Sequence, residues 1–200
     1  MKAFLIALSG IVTICASIPY MREILRGTTK PRIVTWFTWM LLTGIGSAAS
    51  FADGQVPSGV LMLCGSIGLA LVVALGLRHG DRTLERLDIV CLVGAIIGLL
   101  LWFVFNSPTI GVLAAVTIDF VGALPTFKHS WEKPQEETWV TFAMIGLGGG
   151  ITLLVVDSWV PTAVAYPMYL VVLNVALVAC IVARTPRRTV RPVSELADKA

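Results

Sequence analysis

The segment Lys30-Pro31-Arg32-Ile33-Val34-Thr35-Trp36-Phe37-Thr38 has a second version later in the chain, Lys133-Pro134-Gln135-Glu136-Glu137-Thr138-Trp139-Val140-Thr141. Lys, Pro, Thr, Trp and Thr recur at identical spacing. A second pair of segments follows at nearly the same displacement, Asp53-Gly54-Gln55-Val56-Pro57 and Asp157-Ser158-Trp159-Val160-Pro161. This self-similarity predicts an internal repeat.

Pro19 and Pro125 precede these segments at corresponding places and give the repeat a third landmark. Each landmark also has a local explanation. Proline is favoured in the first turn of a helix, and Trp36 and Trp139 suit a membrane interface as well as they suit core packing. The local explanations do not account for the shared spacing.

The composition indicates a membrane protein. The chain has 200 residues, of which 56% are hydrophobic and 14% charged, and a soluble domain could not bury that much apolar surface. A bilayer core about 30 Å thick requires roughly 20 apolar residues per helix. Seven segments approach this length: 4–20, 33–52, 56–77, 89–105, 109–127, 139–156 and 159–183. The first resembles a signal peptide, but we expect it to be kept because its removal would destroy the repeat.

The positive charges predict the orientation. Lys and Arg gather after the first, third, fifth and seventh segments, whereas the opposite side has only Lys2. By the positive-inside rule, the N-terminus lies outside and the C-terminus in the cytoplasm, which requires an odd number of spans. We expect the plasma membrane as the location. The net charge of +3 is thereby explained without nucleic-acid binding.

Two three-helix units with the same orientation need a single extra span between them, and 89–105 supplies it. The predicted fold is therefore an all-α membrane protein with seven transmembrane helices, arranged as parallel three-helix-bundle repeats in a 3+1+3 plan. The first unit covers 1–77, the linker helix and its loops 78–108, and the second unit 109–184. Residues 185–200 form a cytoplasmic tail that we expect to be disordered.

Two passages resemble the PQ-loop and SWEET superfamily of small-solute transporters. One is Ile18-Pro19-Tyr20 with the basic loop and Lys30-Pro31 that follow it. The other, Ile118-Asp119-Phe120-Val121-Gly122-Ala123-Leu124-Pro125, is similar to the Asp-Phe-x-Gly-Gly stretch of proton-coupled members. The Pro-Gln pair that names the family is replaced by Pro19-Tyr20 and Pro125-Thr126, so the chain resembles a divergent, prokaryote-like member. The resemblance covers nearly the whole chain and implies the same 3+1+3 plan and orientation.

Asp119 is the only acid well inside an apolar segment, where an unpaired charge costs at least about 2.5 to 3.5 kcal/mol. Such a carboxyl group suits proton exchange in a coupled transporter, or else a structural hydrogen bond to a neighbouring helix. Small residues share its helical face, which fits either a cavity or a tight helix contact. Asn174 is the next polar side chain of interest, with substrate contact and an interhelical hydrogen bond as alternatives. In sugar-transporting relatives an asparagine of the third helix and one of the seventh contact substrate, but here the first-unit counterpart of Asn174 falls near Gly68 to Ala70, where no asparagine is present, so both alternatives stay open.

Other positions carry weaker expectations. Pro19 and Pro125 suit hinges or gates, and simple helix termination explains them equally well. With those prolines aligned, Thr13 is the counterpart of Asp119 in the first unit. The four cysteines lie in apolar segments and suit packing. The two histidines fall in predicted loops and the remaining acids at helix edges, so we expect no enzyme, metal or cofactor.

Two functions fit these observations. The first is a transporter of a sugar-like or amino-acid-like solute that works by alternating access, with possible proton coupling through Asp119. The alternative is a non-transporting membrane receptor or assembly protein on the same fold. The expected partners are the lipid bilayer, a small solute and protons, and a homo-oligomer is compatible with both functions.

Overall fold

The computed structural model describes residues 1–27, 33–80, 86–137 and 139–185. Every regular element in these ranges is helical. In chain order they are α1 (Lys2–Cys15), α2 (Ser17–Arg26), α3 (Ile33–Ala52), α4 (Val56–His79), α5 (Arg86–Phe105), α6 (Pro108–Glu132), a 3₁₀ turn (Pro134–Glu136), α7 (Trp139–Leu153) and α8 (Pro161–Arg184). Lys30, Pro31 and Thr138 of the repeat motif, and residues 186–200 of the predicted tail, lie outside the described residues.

Six helices of the described chain are long and apolar enough to cross a membrane. They are α1 with α2 as one span, α3, α4, α5, α6 and α8. The chain is therefore an integral, multi-pass membrane protein in which the predicted all-α class is confirmed.

The sixth predicted segment forms a shorter apolar helix, because α7 has 15 residues and ends at Leu153. At 1.5 Å per residue it extends about 22 Å, less than the bilayer core. The amides of Leu154 and Val155 bond the carbonyls three residues earlier, which tightens and closes the helix end. Hydropathy had extended this helix to residue 156 because the residues after the turn remain apolar.

The first predicted segment is two helices, with a break at Ala16. Pro19 explains the break, since it has no N–H to donate to the carbonyl of Cys15. The helix then continues to Arg26 and ends at Gly27, whose φ of 71° allows a left-handed cap. Neither Pro19 nor Pro125 ends a helix, since α6 also runs past residue 125.

The helices form one bundle with a regular order of neighbours. α4 packs against α1 and α3, and α8 packs against α6 and α7. α1 makes no contact with α3, and α6 makes none with α7, within the described residues. The two groups meet where α3 contacts α6 and where α1 contacts α7. α5 lies on the outside against α6 and α3, and most of its large side chains are exposed in the way a lipid-facing helix requires.

The core lies where α3, α4, α6 and α8 meet. Its cluster of buried apolar residues consists of Ala49, Leu61, Met62, Val112, Ala115, Tyr166 and Leu170. Small residues bring the helices close there: a methyl group on Gly46 of α3 would meet the Met62 side chain and lie 3.4 Å from the Cβ of Ala115. The four cysteines are free.

Candidate functional site

Asp119 lies near the middle of α6 and is hydrogen-bonded across the bundle. The hydroxyl of Tyr169 on α8 donates to its Oδ2 at 2.5 Å. No described residue donates to Oδ1, and the side chain is only half-buried. One carboxyl oxygen is therefore held by the protein, while the other is open to a proton, a water molecule or a ligand.

Two tyrosines of α8 face this carboxyl group. Tyr166 precedes Tyr169 by one helical turn, so both side chains project from the same face. Their ring centroids are 5.9 Å apart with the planes tilted by 45°, and Tyr166 belongs to the buried core cluster. Packing of Tyr166 in the core thus fixes the face that brings the Tyr169 hydroxyl to Asp119.

Gly122 lies one turn beyond Asp119 and lets two further helices approach. A methyl group at this position would lie 2.7 Å from Nε1 of Trp39 on α3 and 3.8 Å from the sulfur of Cys91 on α5. The small residues beside Asp119 therefore serve tight helix contacts at Gly122 and Ala115. Asp119 thus lies beside the phenol rings of α8, and the Trp39 indole and the Cys91 thiol pack one helical turn away at Gly122.

The repeated tryptophans occupy different surroundings. Trp36 packs against Tyr20 with ring centroids 4.5 Å apart and meets Trp39 edge-on at 5.5 Å. These three rings form an aromatic column that reaches Gly122 of α6, where Trp39 packs. Trp139 is half exposed at the start of α7. In that copy Lys133 is exposed and Pro134 is buried in the 3₁₀ turn.

Asn174 is buried but lies apart from the carboxyl group. Its Nδ2 donates to the carbonyl oxygen of Leu170 in its own helix at 2.7 Å. A methyl group on Gly146 of α7 would lie 3.2 Å from its Cβ. Asn174 therefore faces α7, whereas Tyr169 turns the opposite part of α8 toward α6.

Asp88 lies at a helix edge, and the sequence analysis missed that it is buried. It lies in the first turn of α5, is 4% exposed, and accepts a hydrogen bond from Thr35 Oγ1 at 2.6 Å. Thr35 belongs to the repeat motif, so this motif ties α3 to α5. Acids are common in the first turn of a helix, and the position alone gave no sign of burial.

No protein-family model matches this chain, and no curated protein or solved structure is significantly similar to it. In the described part of the chain, no group of three or more His, Cys, Asp or Glu side chains is placed to hold a metal ion. The groups beside Asp119 are suited to proton exchange, hydrogen bonding and contact with aromatic faces.

A second polar cluster lies at the end of the bundle where α3 finishes and α4 and α8 begin. We call it the end cluster, and it joins the N-terminal helices to α8. Ser50 donates to the carbonyl of Thr162 at 3.2 Å, Ser58 donates to that of Ala163, and the Thr162 hydroxyl donates to Asp53. At the same end, Lys2 pairs with Asp157, and Ser158 donates to Gln55 at 3.4 Å.

Proposed function

We propose that this chain is a small-solute transporter of the plasma membrane that works by alternating access and is coupled to protons through Asp119. The observation that carries the proposal is the half-buried Asp119 carboxyl group, with Oδ2 bonded to Tyr169 and Oδ1 open. An acid inside a membrane helix is costly and is a functional candidate by default. Changing its protonation changes the charge of the bundle interior, which is what a coupling residue requires.

The proposed architecture is the 3+1+3 plan, as a divergent relative of the PQ-loop and SWEET transporters. Helix contacts support it. Exchanging α1 with α6, α3 with α7 and α4 with α8 turns each contact within the first group into one within the second. The same exchange turns the α3–α6 contact into α7–α1, and with α2 taken as the continuation of α1, α5 is the one described α-helix without a counterpart. Two such units rocking about their shared interface would expose a central site to each side in turn.

The two halves differ at the site itself. By the displacement of the repeat, Thr13 corresponds to Asp119 and Gly65 to Tyr169. A methyl group on Gly65 would lie 3.7 Å from Thr13 Cγ2, so the equivalent contact joins two small groups. The Thr13 hydroxyl donates to the carbonyl oxygen of Ser9 in its own helix at 2.7 Å. The polar pair of Asp119 and Tyr169 therefore occurs in one half and not in the other, as a single proton-coupling site would require.

The end cluster supports alternating access, because its hydrogen bonds join the two proposed units. Hydroxyl-to-carbonyl bonds between membrane helices are each worth about 0.6 kcal/mol on average. A set of them closes that end of the bundle yet can be broken during a transport cycle. Opening would have to break the bonds from Ser50 and Ser58 to α8, together with the other contacts of the end cluster.

The test is uptake into proteoliposomes by the full chain, with and without a pH gradient, using a panel of labelled sugars, amino acids and amines. We expect gradient-dependent uptake by the native chain and its loss in Asp119→Asn. The matched control is Glu132→Gln, which makes the same chemical change at the exposed end of the same helix. Far-ultraviolet circular dichroism and gel filtration establish that each variant is folded.

Transport of no solute in the panel would contradict the transporter and favour the receptor or assembly protein. If uptake does not depend on the gradient and is equal in the native chain and Asp119→Asn, the proposed transport function stands. The coupling role of Asp119 is then contradicted.

A further inference from the structure

The surroundings of Asp119 point to a solute class. We propose that the solute carries a positively charged amine, which binds Asp119 at Oδ1 beside the rings of Tyr166 and Tyr169, with Trp39 one helical turn away at Gly122, and competes there with a proton. This inference rests on the proposed transport function and adds the substrate class to it. The amine and the proton then exchange on one carboxyl group, so the two move in opposite directions.

The first argument is charge. The Tyr169 hydroxyl stabilises the carboxylate through a hydrogen bond but brings no positive charge. Cationic side chains of the described chain lie toward the helix ends, as with Lys2, Lys128 and Arg184. In a medium of low dielectric, the ionised carboxyl group requires a neutralising partner. The proton is one such partner, and a cationic solute is the other.

The second argument is the chemistry of the side chains near Asp119. Aromatic faces attract cations, and quaternary or protonated amines are recognised by groups of such rings. α8 supplies Tyr166 and Tyr169, and α3 supplies Trp39 at the neighbouring Gly122. A sugar would need several hydrogen-bonding partners. Buried Ala115, Gly122 and Ala123 line the carboxyl group's own helix without offering any side-chain polar atom.

The third argument concerns which group exchanges the proton. From α8 the titratable groups facing Asp119 are Tyr166 and Tyr169, and from α5 the group is Cys91, one turn after Asp88. From α3 the neighbour is Trp39, which does not titrate. The charged groups of α6 itself, Lys128 and Glu132, lie near its C-terminal end, where the 3₁₀ turn follows. Among the described side chains at the centre of this site, Asp119 carries the only carboxyl group.

The experiment is isothermal titration calorimetry on the purified full chain in detergent, with choline as the probe. Its neutral isostere, in which a tert-butyl group replaces the trimethylammonium group, has the same shape without the charge. We expect choline to bind saturably and the isostere to bind at least tenfold more weakly. Lowering the pH should weaken choline binding, because protons compete for the same carboxyl group.

Three variants sharpen the measurement. Asp119→Asn should weaken choline binding at least tenfold and remove its pH dependence, whereas Glu132→Gln should leave both unchanged. Trp39→Leu should weaken binding several-fold while keeping the pH dependence. Equal binding of choline and its isostere, unchanged binding in folded Asp119→Asn, or no binding of choline would overturn the proposal. Asp119-dependent uptake of a neutral solute would also overturn it while leaving the proposed transport function standing.

Discussion

The Ser58 hydroxyl donates a hydrogen bond to the carbonyl oxygen of Ala163, across the interface between α4 and α8. In an unbroken helix this carbonyl would accept from the amide four residues later, but that residue is Pro167, which lies inside α8. Ser58 therefore supplies the donor that the proline cannot. Within a membrane a freed carbonyl must find such a partner, since no water is available.

Ser58→Ala should destabilise the protein by about 1 kcal/mol, because it leaves a buried carbonyl without its donor. Pro167→Ala restores a backbone N–H to the helix, so Ser58→Ala should cost clearly less in that background. Unfolding free energies of the four proteins, measured by denaturant titration in mixed micelles, give this coupling. Equal costs in both backgrounds would show that Ser58 does not compensate for the proline.

Adjacent glycines of α7 provide a second prediction. A methyl group on Gly149 would lie 2.9 Å from the carbonyl oxygen of Pro167 and 3.3 Å from the Cβ of Leu170, whereas one on Gly150 would meet open space. Gly149→Ala should therefore destabilise the protein by about 1 to 3 kcal/mol, because α7 and α8 must move apart. Gly150→Ala should be neutral or stabilising by up to about 1 kcal/mol, since alanine favours helix. Thermal unfolding of both variants is the measurement, and equal effects would contradict the close contact at Gly149.

Much of the fold was accessible to hydropathy, because the bilayer constrains the length and composition of any helix that crosses it. The second predicted segment, 33–52, coincides with α3. Hydropathy failed at α7, where the apolar residues after Leu153 continue through a turn. An apolar run indicates that a segment lies in an apolar medium. It does not show where a turn separates two apolar helices.

The candidate site, like the fold, was predictable from the sequence only in part. Placing an acid in the middle of an apolar segment costs free energy, so Asp119 was identifiable from the sequence as a functional candidate. Its partner Tyr169 was not, because that contact depends on how α6 and α8 are rotated against each other. The buried Asp88 was missed for a related reason: Thr35 reaches it from a helix distant in sequence. Such contacts depend on tertiary packing, which the local sequence pattern does not determine.

Tyr169→Phe removes the donor to Asp119 while keeping the aromatic ring. We expect gradient-driven uptake to fall about tenfold to a hundredfold, because a hydrogen bond to a charged group contributes about 1.5 to 3 kcal/mol. Thr117→Val is the matched control, since that hydroxyl bonds only the carbonyl of Leu113 in its own helix. Initial uptake rates in proteoliposomes check the prediction. A loss as large for Thr117→Val would indicate general damage to α6.

Thr35→Val should destabilise the packing of α3 against α5, because it removes a donor from the buried Asp88 carboxyl group. The expected cost is about 1 to 3 kcal/mol. Thr35→Ser keeps the hydroxyl and should recover most of the stability. Unfolding free energies in mixed micelles distinguish the two. If the serine variant is as unstable as the valine variant, the methyl group of Thr35 and its packing matter more than the hydrogen bond.

Single cysteines at the two ends of the bundle test the orientation predicted from charge. Asp157 and Arg184 are both exposed, and Asp157 lies at the end cluster while Arg184 ends α8. By the positive-inside rule, a membrane-impermeant maleimide should label Asp157→Cys in intact cells and Arg184→Cys only after permeabilisation. The change at Asp157 removes an exposed pair with Lys2, which contributes less than about 1 kcal/mol, so the fold should survive. The native chain is the control for its own four cysteines, and the reverse labelling pattern would place the end cluster in the cytoplasm.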